Sequence, residues 1–172
     1  MLYPSNDLRR GRRRLEEIEE ISIIDDLTWD NEYKCFFICV SVQLDKEYPQ
    51  FPKITKWYIT IDSSYPLGEI SIYPSNSNGI NCTFPHQLNN YFIAKNNLWR
   101  LGKICLDFSL RNLGMRSPEK EPFTTDERLF WHAKRAVMWI QCAAKNEFSD
   151  EAALFFWTKF SNWSEKKRDR IW

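Results

Sequence analysis

The stretch 33–44, YKCFFICVSVQL, carries apolar side chains on both parities: Phe36, Ile38, Val40 and Val42 on one, Phe37, Cys39 and Cys35 on the other. Apolar sets on both faces predict a central strand covered twice. A strand is also predicted near 22–29, another in TKWYITI at 55–61, and a short fourth in ISIY at 70–73, closed by Pro74. The links are turn chemistry: Asp30–Asn31, the proline-broken 45–53, and SSYPLGE at 63–69. Four consecutive strands on short links predict an antiparallel meander.

Helical periodicity stands at both ends of this block. In DLRRGRRRLEEIEEI, residues 7–21, Leu8, Leu15, Ile18 and Ile21 fall near one face, which predicts a helix. Gly11 weakens it by about 1 kcal/mol relative to alanine. Arginines ahead of glutamates also oppose the helix dipole, so those arginines answer to something other than helix stability. From Thr124 a long helix is predicted, with Leu129, Ala133, Ala136, Val137, Ile140 and Ala144 on its apolar face. A second late helix is predicted from Ser149, with Asp150 and Glu151 in its first turn. Residues 1–6 and 164–172 read as frayed ends.

Between sheet and late helices the pattern stops. Residues 75–125 are rich in Ser, Asn, Gly and Pro and show no period. So long an irregular stretch inside a compact domain points to function. It contains Asn81, Pro85, His86, Asn89, Asn90 and Cys105. The order of helix, four strands, irregular segment and helices predicts an α+β fold, with 1–172 as a single domain.

The totals narrow the chemistry. A chain of 172 residues with 24 basic and 23 acidic side chains carries a formal charge of +1, which argues against a dedicated nucleic-acid binder. No apolar run reaches the roughly 18 residues of a membrane span. The N-terminus lacks the apolar core of a signal peptide, so a cytoplasmic protein is expected. Five cysteines without a CxxC, and two histidines, do not make a disulfide framework or a zinc site. Five glycines, none in a GxGxxG or phosphate-loop arrangement, leave no nucleotide cofactor to expect.

Three local motifs carry a resemblance. WYITIDSSYPLGEISIY at 57–73 is strand, Tyr-Pro turn, strand. FPHQ at 84–87 is a histidine turn, and GKICLD at 102–107 presents a cysteine after a glycine. Together with the element order, they resemble the ubiquitin-conjugating (UBC) family over most of the chain. The cysteine segment is very similar to the family's Gly-x-Ile-Cys-Leu. The histidine turn departs from the family's His-Pro-Asn, and its distance to Cys105 is longer than usual. Divergent bacterial members look like this, including a stand-alone conjugating-type protein of CBASS antiphage operons.

The resemblance implies a UBC-like fold in which Cys105 takes an activated C-terminal acyl group as a thioester and passes it to an amine. Only the thiolate is nucleophilic, and Lys103 or Arg100 could favour it. Donors for the tetrahedral oxyanion would come from Asn81, Gln87, Asn89 or Asn90, with His86 shaping the loop or acting as a base. Cys35, Cys39 and Cys142 read as core, and so does Cys82 despite its loop position. His132 reads as packing or surface, Asp107 as a local acceptor, and Trp131, Trp139 and Trp157 as core. The arginines Arg9, Arg10, Arg12, Arg13 and Arg14 are either a solvated face or a docking surface for an acidic partner. The implied partner exposes a C-terminal tail, as a ubiquitin-like protein or a cGAS-like nucleotidyltransferase does, and a separate activating enzyme prepares the acyl group. Two alternatives stand beside this. One is a non-catalytic UBC-like binding module for the same partner. The other is an unrelated cysteine hydrolase, which would need one of two histidines beside its thiol.

Overall fold

The computed structural model describes residues 2–92, 98–106 and 121–148. Helix α1 runs Asn6–Arg14, followed by a 3-10 turn, Leu15–Glu17. Strands β1 (Ile21–Asp30), β2 (Cys35–Gln43), β3 (Ile54–Asp62) and β4 (Ile70–Pro74) follow, and α2 spans Arg128–Lys145. The sheet has the order β1-β2-β3-β4, every pair antiparallel, so the predicted meander and the α+β class hold.

The N-terminal helix is shorter than its apolar spacing suggests. Ser5 caps it by accepting the Leu8 N–H, and regular α structure ends at Arg14. The apolar positions still land in the core: Leu8, Leu15 and Ile18 are fully buried. The backbone tightens through the 3-10 turn, and Ile21 enters the sheet opposite Val42. Gly11 has a packing reason. A Cβ there would run into the Tyr65 hydroxyl and meet the Thr125 carbonyl at 3.0 Å. That hydroxyl donates to Thr125 and accepts the Leu129 N–H, so the close approach joins α1, the Tyr-Pro turn and the start of α2.

The two parities of β2 do what its pattern implies. Phe36, Ile38, Val40 and Val42 join Trp57, Ile59, Ile61, Ile70 and Ile72 beneath the helices. There they meet Leu129, Ala133, Ala136, Val137 and Ile140 of α2. Each such aliphatic side chain contributes roughly 1.5–3 kcal/mol on burial. On the opposite face Phe37, Cys39 and Tyr58 form a smaller cluster with Trp99, which arrives from the irregular segment. Trp99 packs on the rings of Phe37, Tyr58, Tyr73 and Tyr33, at 5.1–6.1 Å between centroids.

The two sheet edges are finished differently. β1 is an outer strand with two register breaks, between Ile23 and Asp25 and between Asp25 and Thr28, and Asp25 and Asp26 there are exposed. β4 is covered. Ile104 N–H donates to Ile72 O, Arg100 N–H to Pro74 O, and Ser75 pairs with Trp99. The stretch read as irregular is thus partly laid against the sheet. Helix α2 begins at Arg128 rather than Thr124, because the Thr124 carbonyl closes a turn onto the Glu127 and Arg128 N–H groups. The predicted second late helix and the 164–172 tail lie outside the described residues. Among the described residues no helix is long and apolar enough to cross a membrane.

Candidate active site

Cys105 sits where the segment along β4 turns away from it. Ile104 and Leu106 are buried, and Cys105 between them is exposed. Strand-like alternation explains this: when its neighbours face the core, the middle side chain faces out. The other four cysteines are buried or half-buried. Burial, reinforced by Asp30 and Asp62, pushes the Cys35 thiol up to about 11. Cys39 is also raised, by burial that outweighs the pull of Lys56 and Tyr58. Both stay protonated at neutral pH and are poor nucleophiles.

The Cys105 N–H donates to the His86 carbonyl at 2.8 Å, and Gln87 pairs antiparallel with Ile104. A second pair of bonds extends this ribbon: Leu88 N–H to Lys103 O at 2.9 Å and Leu101 N–H to Tyr91 O at 3.1 Å. The histidine turn and the cysteine segment are therefore adjacent in space, despite their separation in sequence. His86 itself is left-handed, with φ 58°, and exposed. Histidine is among the few residue types enriched there. Partial desolvation of its ring holds the imidazole below the usual value, so the neutral form dominates at pH 7. The turn is tied to the core from below, where Trp139 Nε1 donates to Pro85 O at 3.2 Å.

The amides divide into two groups. Gln87 Nε2 donates to Gly102 O and its Oε1 accepts the Phe84 N–H, at 2.9 and 3.0 Å. Asn90 is buried; its Nδ2 donates to the Ile80 and Cys82 carbonyls, and its Oδ1 accepts from Arg100 Nε, each at 2.9 Å. Gly102 is required opposite it, since a Cβ would stand 2.7 Å from the Asn90 side chain. Gln87 and Asn90 thus commit their N–H groups to the scaffold. Asn81 and Asn89 are the exposed amides.

The two cations expected to assist the thiol are engaged elsewhere: Arg100 with Asn90, and Lys103 with Glu69. A cation that the sequence did not single out reaches the residue after Cys105. Arg135 of α2 donates from Nε and Nη2 to the Leu106 carbonyl, at 2.9 and 2.7 Å.

No family model matches the sequence. The ATP-dependent ubiquitin transferase-like protein Cap2 of Enterobacter hormaechei subsp. hoffmannii (strain UCI 50) is 30% identical over 98 residues, covering 57% of this chain and 16% of that protein. Over those residues the chain is similar to a part of Cap2. It spans only that small fraction of Cap2's length.

The remaining expected groups fall as follows. Arg10, Arg12 and Arg14 pair within the chain, with Asp126, with Asp26 and Glu16, and with Glu17 and Glu127 respectively. Arg9 and Arg13 are exposed on the same helix. His132 is buried, its Nε2 2.7 Å from Glu121. Trp139 is core and Trp131 is half-buried. Asp107 and Trp157 lie outside the described residues. Among the described residues no group of His, Cys, Asp and Glu is placed to hold a metal ion.

Proposed function

We propose that this protein is a ubiquitin-conjugating-type cysteine acyltransferase of CBASS-like antiphage defence, carrying a protein C-terminus on Cys105. The observation that supports it most is the exposed thiol beside the His86 turn, with the other four cysteines buried or half-buried. The relative's name, a ubiquitin transferase-like protein, agrees with that chemistry. In the first step the Cys105 thiolate attacks an activated C-terminal carbonyl. A C–S bond forms, and the activating group leaves with its electron pair. In the second step an amine attacks the thioester. The C–N bond forms, the C–S bond breaks, and the thiolate is released. In this reading neutral His86 takes the amine's proton, and Asn81 or Asn89 donates to the oxyanion, a role worth about 3 kcal/mol. The cargo is a ubiquitin-like protein or a cGAS-like nucleotidyltransferase with an exposed tail. The activation step is assigned to a separate enzyme, because these residues carry no GxGxxG or phosphate-loop arrangement to hold ATP.

The commitment of Gln87 and Asn90 to the scaffold favours a second reading, a binding module that recognises the same tail without chemistry. Co-expression with the neighbouring genes of the operon separates the two. The transferase reading expects a thiol-reducible adduct, lost in Cys105→Ala and replaced by a thiol-resistant ester in Cys105→Ser. An adduct that persists in Cys105→Ala refutes the assignment. Complex formation with no adduct establishes the module.

A further inference from the structure

Three polar side chains follow one another along a stripe of α2: Arg128, His132 and Arg135. Arg128 Nε and His132 Nε2 share one carboxylate oxygen of Glu121, at 2.6 and 2.7 Å. Arg128 also donates to the Pro66 and Gly68 carbonyls of the Tyr-Pro turn. Arg135 takes the Leu106 carbonyl with two N–H groups, and its guanidinium lies over the Trp131 ring, 4.6 Å from the centroid.

We propose that Arg135 is a positioning residue for Cys105. The cysteine backbone is held from two directions. The His86 carbonyl takes its N–H, and Arg135 fixes the carbonyl of the next residue from the helix side. Ile104 and Leu106 anchor the flanking side chains in the core. The thiol is then the one side chain of this tripeptide free to meet a ligand, on a peptide that cannot swing. Arginine suits the task because its planar fork delivers two parallel donors and stacks on an aromatic face. Lysine keeps the charge but loses both properties. A group held within about 0.5 Å of its productive position reacts far faster than one left loose. The effect on acyl transfer rests on the carrier reading above, whereas the effect on the backbone does not.

The test is hydrogen exchange on the full chain, read at the Cys105 amide, together with adduct kinetics. In Arg135→Ala, exchange at Cys105 should accelerate at least tenfold while the amides of β2 and β3 keep their protection. Arg135→Lys should fall between the two. With the activated donor, Arg135→Ala should lose at least tenfold in kcat with little change in KM. Unchanged exchange at Cys105 overturns the proposal. So does an acceleration that spreads equally through the sheet, which would mark a general packing role, or a wild-type kcat in Arg135→Ala. A wild-type chain that forms no adduct counts against the carrier reading instead, and the exchange at Cys105 then decides for or against Arg135 by itself.

Discussion

The β2–β3 pair and the ribbon that carries Cys105 are built on different principles. From Cys35–Asp62 to Gln43–Ile54, every residue of β2 faces one of β3 in unbroken register. Each pairing there is one of many equivalent ones, and two apolar faces support them all. Among the described residues the ribbon around 84–106 has one internal bridge, Gln87–Ile104, one to Ser75 through Trp99, and a few backbone bonds. What completes it is a set of individual side chains: Gln87, Asn90, Arg100, Trp139 and Arg135. The sheet stores its stability in repetition, whereas the ribbon depends on particular groups. The sheet should therefore lose energy when its packing is emptied, and the ribbon should lose geometry when a single amide or guanidinium is removed.

The largest effect belongs to the sheet. Trp57 is fully buried, edge-on to Trp139 at 6.1 Å, and Trp57→Ala should cost about 3–5 kcal/mol in chemical denaturation, as one cooperative transition. A loss confined to the ribbon would contradict the contrast. Asn90→Ala comes next. It strands the Ile80 and Cys82 carbonyls and leaves the Arg100 Nε without its acceptor, at about 2–3 kcal/mol. Its far-UV spectrum should be unchanged, while alkylation of Cys82 quickens. A wild-type labelling rate together with wild-type stability would remove Asn90 from the account.

Acid should act on the α2 end of the site more gently. Burial lowers the His132 imidazole against the opposing pull of Glu121, with Arg128 and Arg135 adding to the lowering. An unfolded histidine binds a proton near pH 6.5, so between that value and the lower folded one the unfolded chain holds more protons. Stability is then fully present above about pH 6.5 and declines as pH falls below it. The slope is at most about 1.4 kcal/mol per pH unit for one imidazole. His132→Gln should flatten melting temperature against pH over this range, and an identical profile in that variant would clear His132. Partial desolvation of the His86 ring acts in the same direction. The smallest structural effect is expected from Arg9→Ala with Arg13→Ala. Both side chains are exposed, so the melting temperature should not move. A slower adduct in that double variant would identify the docking face, and an unaltered rate would leave it a solvated surface.

How much of this was legible follows from the same contrast. Period-two alternation is local, so the strands and both covered faces of β2 could be read directly. The first helix misled because Leu15, Ile18 and Ile21 keep an apolar spacing that suits three backbone states in succession: the helix end, a 3-10 turn and a strand. Cys105 stood out as a candidate from the six residues GKICLD, and the alternation of Ile104 and Leu106 around it was an unused clue to its exposure. The roles of Gln87, Asn90 and Arg135 were not readable. Apart from the Gln87–Phe84 bond, their partners lie 8 to 29 residues away, where no periodic signal reaches. Arg100 and Lys103 looked like helpers because they are near Cys105 in sequence, but each is drawn off by a partner of its own.

The covering of β4 by residues 98–104 ties two fates together. The bulged, acidic β1 discourages foreign strands on its own side. On the other side the barrier is the very segment that displays the thiol. A change that unfastens this segment would bare a row of unmatched peptide groups just as it loosens the thiol. Inactive variants of the ribbon should thus tend to clump, and poor yield in the cell would be a second symptom of the same lesion.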